Sequence, residues 1–174
     1  MKKGFTLIEL LVVISIMAIV ATVVIVSFGS FEEDANLKNE AFNLQSYLRL
    51  AQANATTGVK CGSAGGASWS IVITDRTSIK LKCQTQETPV REWTIKYPAQ
   101  IDSIEGIGTL SCSSVISNPV TVTFSYLAGQ VAFSELANDC LAQSTGMSIK
   151  VRKKEGSVDF KTITVSKGGS VDVQ

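Results

Sequence analysis

From Leu10 to Phe31 the chain carries no charged residue, and its polar side chains are confined to Ser15, Thr22, Ser27 and Ser30. As an α-helix these residues extend roughly 33 Å, enough for a hydrocarbon core of about 30 Å. The run predicts a membrane-spanning segment at about residues 10–31. Beyond it the apolar positions narrow to one stripe, Leu37, Ala41, Leu44, Leu48, Ala51 and Ala55, recurring every three or four residues as on one face of a helix. Asn36, Lys38, Asn39, Glu40, Asn43, Gln45 and Arg49 fall largely off that stripe. No proline interrupts the region, so a single helix is expected over 5–57, ended by Gly58. Gly29, between Ser27 and Ser30, is where it could bend or divide into two helices.

After Gly58 the period changes. Short runs rich in Val, Ile and Thr alternate with Gly, Ser, Asn and Pro, predicting strands at Ser68–Thr74, Ser78–Cys83, Glu92–Tyr97, Val120–Tyr126, Gly129–Phe133, Met147–Arg152 and Val158–Val165. Strict alternation in Thr121 to Tyr126 and in Ser148 to Arg152 implies one buried and one wet face. Turns are expected at Leu127-Ala128-Gly129-Gln130 and Lys154-Glu155-Gly156-Ser157, joining antiparallel hairpins. The fold class is α+β: a long N-terminal helix, half membrane-spanning and half amphipathic, packed on an antiparallel β-sheet domain spanning 58–174, because neither amphipathic element can bury its face alone.

Charge sets the orientation. Lys2 and Lys3 precede the apolar run and Glu32, Glu33 and Asp34 follow it, and basic flanks stay cytoplasmic, so the β-rich domain faces outward. The four cysteines, Cys61, Cys83, Cys112 and Cys140, contain no C-x-x-C pair and suit disulfides of an oxidising compartment better than a metal site. Three connectivities are open; neighbour pairing, Cys61 with Cys83 and Cys112 with Cys140, is favoured because each bond then clips one local region. Formal net charge is +1 and histidine is absent, so there is no global bias toward nucleic acid, and the usual general acid-base and metal-binding side chain is missing.

The leader carries the sharpest signal. A secretory signal peptide would share the basic start, and Ser27-Phe28-Gly29 offers a cleavage pattern, but the apolar run is longer than a signal core and Glu9 stands at its front. Gly4 followed by Phe5-Thr6-Leu7-Ile8-Glu9 resembles the type IV pilin superfamily. The resemblance implies a leader, residues 1–4, removed by prepilin peptidase between Gly4 and Phe5, and N-methylation of Phe5. It also implies that Glu9 directs assembly by pairing with the Phe5 amine of an adjacent subunit. Spacing alone allows the pair within one chain, since residues four apart lie one helical turn apart. The alternative is that Glu9 reaches toward the cytoplasmic headgroups.

Leu48-Arg49-Leu50-Ala51-Gln52-Ala53-Asn54-Ala55, then Gly58-Val59-Lys60-Cys61 and Trp69-Ser70-Ile71-Val72-Ile73, are similar to GspH/FimT-like minor pilins and pseudopilins, with Gln52 where arginine is commoner. The implied function is a structural subunit, minor pilin or type II secretion pseudopilin. Its partners would be prepilin peptidase, other pilins and the inner-membrane assembly machinery. A major pilin and a DNA-binding minor pilin are the alternatives. Some family members are thought to bind DNA near the C-terminus, but here Ser170 stands where arginine would be expected. A separate cluster, Lys150, Arg152, Lys153 and Lys154, could contact nucleic-acid phosphates, with a solvated hairpin tip as the competing reading. No enzyme motif, cofactor motif or metal site is expected. Asp102-Ser103-Ile104-Glu105-Gly106 reads as a solvated loop, and Gly62-Ser63-Ala64-Gly65-Gly66 lacks the Lys and helix of a phosphate loop. Trp69 and Trp93 are expected in the core.

Overall fold

A computed structural model describes residues 5–62, 66–84, 86, 88–108, 112–114, 119–135, 140–153 and 157–174, without the side chains of 23–30, 113 and 114. Gly4, Lys154 and the turn at 154–156 lie outside the described residues. The chain divides into two compact units, Met1–Ala35 and Asn36–Gln174. Helix α1, Leu7–Thr56, is one continuous element and contributes to both.

The predicted stripe is the helix's buried face in the second unit: Leu37, Ala41, Leu44, Leu48, Ala51 and Ala55 are all buried. Gly58 ends the helix. Its φ of 69° lets the Gly58 N–H reach the Ala55 carbonyl (3.4 Å) while the Val59 N–H reaches that of Asn54 (2.9 Å). These two bonds satisfy carbonyls left over at the last turn, and a side chain at position 58 would be strained in this conformation.

The strands are β1 (Trp69–Ile73), β2 (Ser78–Cys83), β3 (Arg91–Thr94), β4 (Gln100–Ile107), β5 (Cys112–Ser114), β6 (Val120–Phe124), β7 (Val131–Glu135), β8 (Gly146–Arg152), β9 (Phe160–Ser166) and β10 (Val171–Val173), with a short α2 (Cys140–Gln143) after β7. They divide between two antiparallel five-stranded sheets, ordered β3-β2-β1-β6-β7 and β10-β9-β8-β4-β5. The predicted turn after β6 forms, with Leu127 and Gly129 at positive φ and the Ser125 N–H bonded to the Gln130 carbonyl at 2.9 Å. One core holds the unit together. The inward residues of both sheets, among them Ile71, Ile79, Phe124, Ile104, Ile149 and Ile163, join the helix stripe in a single buried cluster. Trp69 is buried there, with its indole N–H on the Val59 carbonyl at 3.2 Å. Trp93 packs at its margin.

Residues 102–106 are not a loop. They lie in β4, with Ile101 and Ile104 fully buried and a register shift between Ile101 and Ser103. Disulfides join Cys61 to Cys83 and Cys112 to Cys140. The first ties the segment after the helix to the end of β2; the second ties edge strand β5 to α2, which packs on edge strand β7 of the other sheet.

Candidate assembly site at the helix start

Thr6 and Glu9 stand at the first turn of α1. The Thr6 N–H and hydroxyl donate to Glu9 Oε2 at 2.9 and 2.7 Å, and the Glu9 N–H donates back to Thr6 Oγ1 at 3.3 Å. This is a reciprocal capping box: two helix-start donors find acceptors, and a carboxylate sits at the positive end of the helix dipole. The pattern Thr-x-x-Glu is a cap signature legible in the sequence, and it gives Glu9 a local partner besides the Phe5 amine expected from an adjacent subunit. Phe5, immediately before the cap, is 83% exposed, and the Glu9 carboxylate is turned onto Thr6.

Past the cap, Leu7, Ile8, Leu10, Leu11, Val12, Val13, Ile14, Ile16, Met17, Ile19 and Val20 are exposed around the whole helix. Such a helix needs an apolar surrounding, since each large side chain gains about 1.5–3 kcal/mol on leaving water. Its hydroxyls are already satisfied locally, Ser15 Oγ on the Leu11 carbonyl at 2.8 Å and Thr22 Oγ1 on the Ile19 carbonyl at 2.7 Å, as a nonpolar environment requires. Among the described residues no helix is long and apolar enough to cross a membrane. The expected span at 10–31 includes 23–30, whose side chains are outside the described set.

The three described members of the basic cluster each have an acidic partner. Lys150 Nζ lies 2.8 Å from Glu105, Arg152 Nη2 2.7 Å from Asp102 and Lys153 Nζ 3.6 Å from Asp159. The hydrogen bond from Lys150, opposed by partial burial and helped by one from Ser103, holds the Glu105 carboxyl below its ordinary range. Asp102 and Glu105 therefore serve as partners of the two strand cations across β4 and β8, which puts them on one sheet face.

The helix also holds the outer edge of β10. Gln45 Nε2 and Arg49 Nη2 each donate to the Val171 carbonyl at 2.9 Å, and Gln52 Nε2 donates to that of Gly169 at 2.8 Å. At the other sheet, Tyr47 stacks on Trp93 with ring centroids 4.0 Å apart, and burial, with the charge of Glu40, pushes the Tyr47 phenol up. Among the described residues no group of three or more His, Cys, Asp or Glu is placed to hold a metal.

Residues 1–25 match the family model described as the prokaryotic N-terminal methylation motif. Comparison with curated protein sequences yields no significant match. Two crystal forms of the Pseudomonas aeruginosa type IV minor pilin FimU are similar in structure. One has 13% identity and a TM-score of 0.51, covering 83% of this chain and 92% of that one; the other has 12% identity and a TM-score of 0.49, covering 79% and 92%. The former likeness extends to the fold of the long helix on antiparallel sheets, which is pilin-like.

Proposed function

We propose that this type IV pilin-like chain is a structural subunit, a minor pilin or pseudopilin, cleaved by prepilin peptidase between Gly4 and Phe5, N-methylated at Phe5 and assembled through α1. The observation that carries the reading is the methylation motif over residues 1–25, which runs from the basic start into the first part of α1, where large apolar side chains from Leu10 to Val20 are exposed on every side. The fold likeness to a protein described as a type IV minor pilin supports it. Before assembly the chain is held in the inner membrane, Lys2 and Lys3 inside and the disulfide-bearing unit outside.

Glu9 is the assembly residue. An unpaired acid within a bilayer costs about 2.5–3.5 kcal/mol on insertion scales. The Thr6 bonds offset part of that cost in a single chain, and the cationic Phe5 amine of a neighbouring subunit offsets more, so correctly docked subunits are favoured over misaligned ones. Cleavage creates that amine. N-terminal sequencing and intact mass of native material test the proposal: a start at Phe5 with one added methyl group is expected, and a mature chain that keeps Met1 to Gly4 would overturn it. Lys150, Arg152 and Lys153 face carboxylates, which favours a structural role for them over contact with nucleic-acid phosphates.

A further inference from the structure

The globular unit has two ends, distinguished by the chain segments that meet there. At one, α1 finishes at Thr56, Cys61 joins Cys83, and the Leu127 N–H of the β6–β7 turn reaches the Ala55 carbonyl at 3.4 Å. The other surrounds the Leu37 turn of the helix. Strand β10 runs toward it, from Gly169 beside Gln52 to Val171 beside Gln45, and Gln174 then exchanges two hydrogen bonds with Thr162. Next to Thr162, Phe160 pairs with Arg152, and Arg152 with Gln100. The β1–β2 turn closes the same end: the carbonyls of Thr77 and Arg76 accept the N–H groups of Ile95 and Ile101, both at 2.8 Å. That turn is itself held by Asp75, whose Oδ1 accepts from the Thr77 and Ser78 N–H groups at 2.7 and 2.8 Å.

This end carries the two most exposed large apolar side chains of the unit among the described residues, Val158 at 87% and Tyr97 at 80%, with Phe160 at 51%. Lys96 and Lys161 lie beside them in the chain, and Lys153 is on the adjoining turn with Asp159. An exposed phenol, an aliphatic tip and lysines at one end match the headgroup boundary of a bilayer. There an aromatic body sits in the apolar side with its hydroxyl wet, and lysine stems lie along apolar matter with their ammonium groups in water.

Chain length selects the occupant. Asn36 follows Phe31, where the apolar run stops, by five residues, and five residues reach at most about 18 Å even fully extended. The opposite end, where Leu127 is also exposed, is separated from Asn36 by roughly 30 Å of helix. Only the end bearing Tyr97, Val158 and Phe160 is tethered close to the lipid. We infer that these three side chains dock the unit on the headgroup layer of the same bilayer that holds the apolar segment, until the subunit leaves for the filament. This rests on the reading of residues 10–31 as a span. Docking restricts the unit's orientation on the bilayer and presents the same helix face to each incoming neighbour.

The test uses the full chain in nanodiscs of phosphatidylethanolamine and phosphatidylglycerol, with and without a lipid carrying gadolinium on its headgroup. Amide broadening at Tyr97, Val158 and Phe160 is expected to exceed that at Leu127 several-fold. It should fall at least threefold at Lys96 and Lys161 in the variant Tyr97→Ser, Val158→Ser, Phe160→Ser, whose changed side chains are all exposed and leave the core intact. Equal broadening at both ends, or broadening unchanged by the triple substitution, overturns the docking. Alkaline extraction separates the two failures. A chain that stays with lipid but does not dock removes this inference alone, whereas a chain released by alkali removes the membrane reading and this inference with it.

Discussion

Arg49 reaches from α1 to the outward-facing carbonyl of Val171, its Nη2 2.9 Å from that oxygen, and Gln45 shares the same acceptor. Together with Gln52 on Gly169 this occupies the carbonyls at the start of β10 and just before it, so the helix blunts that part of a sheet edge as well as covering a core. Replacing Arg49 by alanine leaves Gln45 in place and should cost about 1 kcal/mol, a fall in melting temperature of about 3 °C. The double change Gln45→Ala, Arg49→Ala should add concentration-dependent self-association, read by sedimentation velocity.

At the helix start, charge and capping can be separated. Glutamine at position 9 keeps an acceptor for the Thr6 N–H but carries no charge, so Glu9→Gln should leave the globular unit folded and sharply reduce incorporation into sheared filaments. Thr6→Ala removes the reciprocal cap at about 1 kcal/mol of helix stability and should reduce incorporation much less. Equal incorporation of Glu9→Gln and the unaltered chain, judged by immunoblot of the sheared fraction, contradicts the role given to the charge.

The disulfides close segments with sequence separations of 22 and 28. Chain-entropy arguments assign about 3 kcal/mol to each loop of this size. The variant Cys61→Ser, Cys83→Ser should therefore unfold at a clearly lower denaturant concentration with little change in transition slope. The variant Cys112→Ser, Cys140→Ser should in addition speed amide exchange in α2 and β5, which that bond joins.

Acid should weaken the sheet face of β4 and β8. The Lys150 hydrogen bond lowers the Glu105 carboxyl below its ordinary value of 4.5, so its stabilisation is fully present above that pH and is lost as pH falls through the lower folded value. Asp75 behaves alike: burial opposes ionisation, but the bonds from Thr77 and Ser78 prevail and lower it from 3.8. Thermal unfolding followed from pH 6 to pH 2.5 should show a shallower acid decline for Glu105→Gln than for the unaltered chain.

Neutralising the acids should reveal what the strand cations do when unpaired. The chain itself is expected to give no mobility shift with DNA at low salt. Asp102→Asn with Glu105→Gln strips Arg152 and Lys150 of their partners and should produce weak binding that collapses as salt rises, because released counterions supply the affinity. Retention of DNA by the unaltered chain at low salt would contradict this account of the cluster.

Much of this architecture was legible because hydrophobic period maps directly onto burial. The stripe from Leu37 to Ala55 emerged intact as the covered helix face, and strands such as Val120–Phe124 alternate without interruption. Strand β4 was misread because its buried residues Ile101 and Ile104 are three apart. The register shift between Ile101 and Ser103 breaks the period of two, and Asp, Ser, Glu and Gly fill the rest. Strand β10 and the short β5 have too few residues to display any period and exist through their partners β9 and β4. Alternation also says nothing about which strands share a sheet: β1 pairs with β6 across more than forty residues of intervening chain. At the helix start the three-residue spacing from Thr6 to Glu9 is that of a capping box, and the same Glu9 also belongs to the leader motif, so one residue carries two overlapping signals.

The grip of α1 on β10 also fixes an order of events during synthesis. Gln45, Arg49 and Gln52 leave the ribosome 126, 122 and 117 residues before the carbonyls they bind. The apolar stripe beside them cannot be fully sheathed until that late stretch has been made, so part of the helix face stays bare through most of translation.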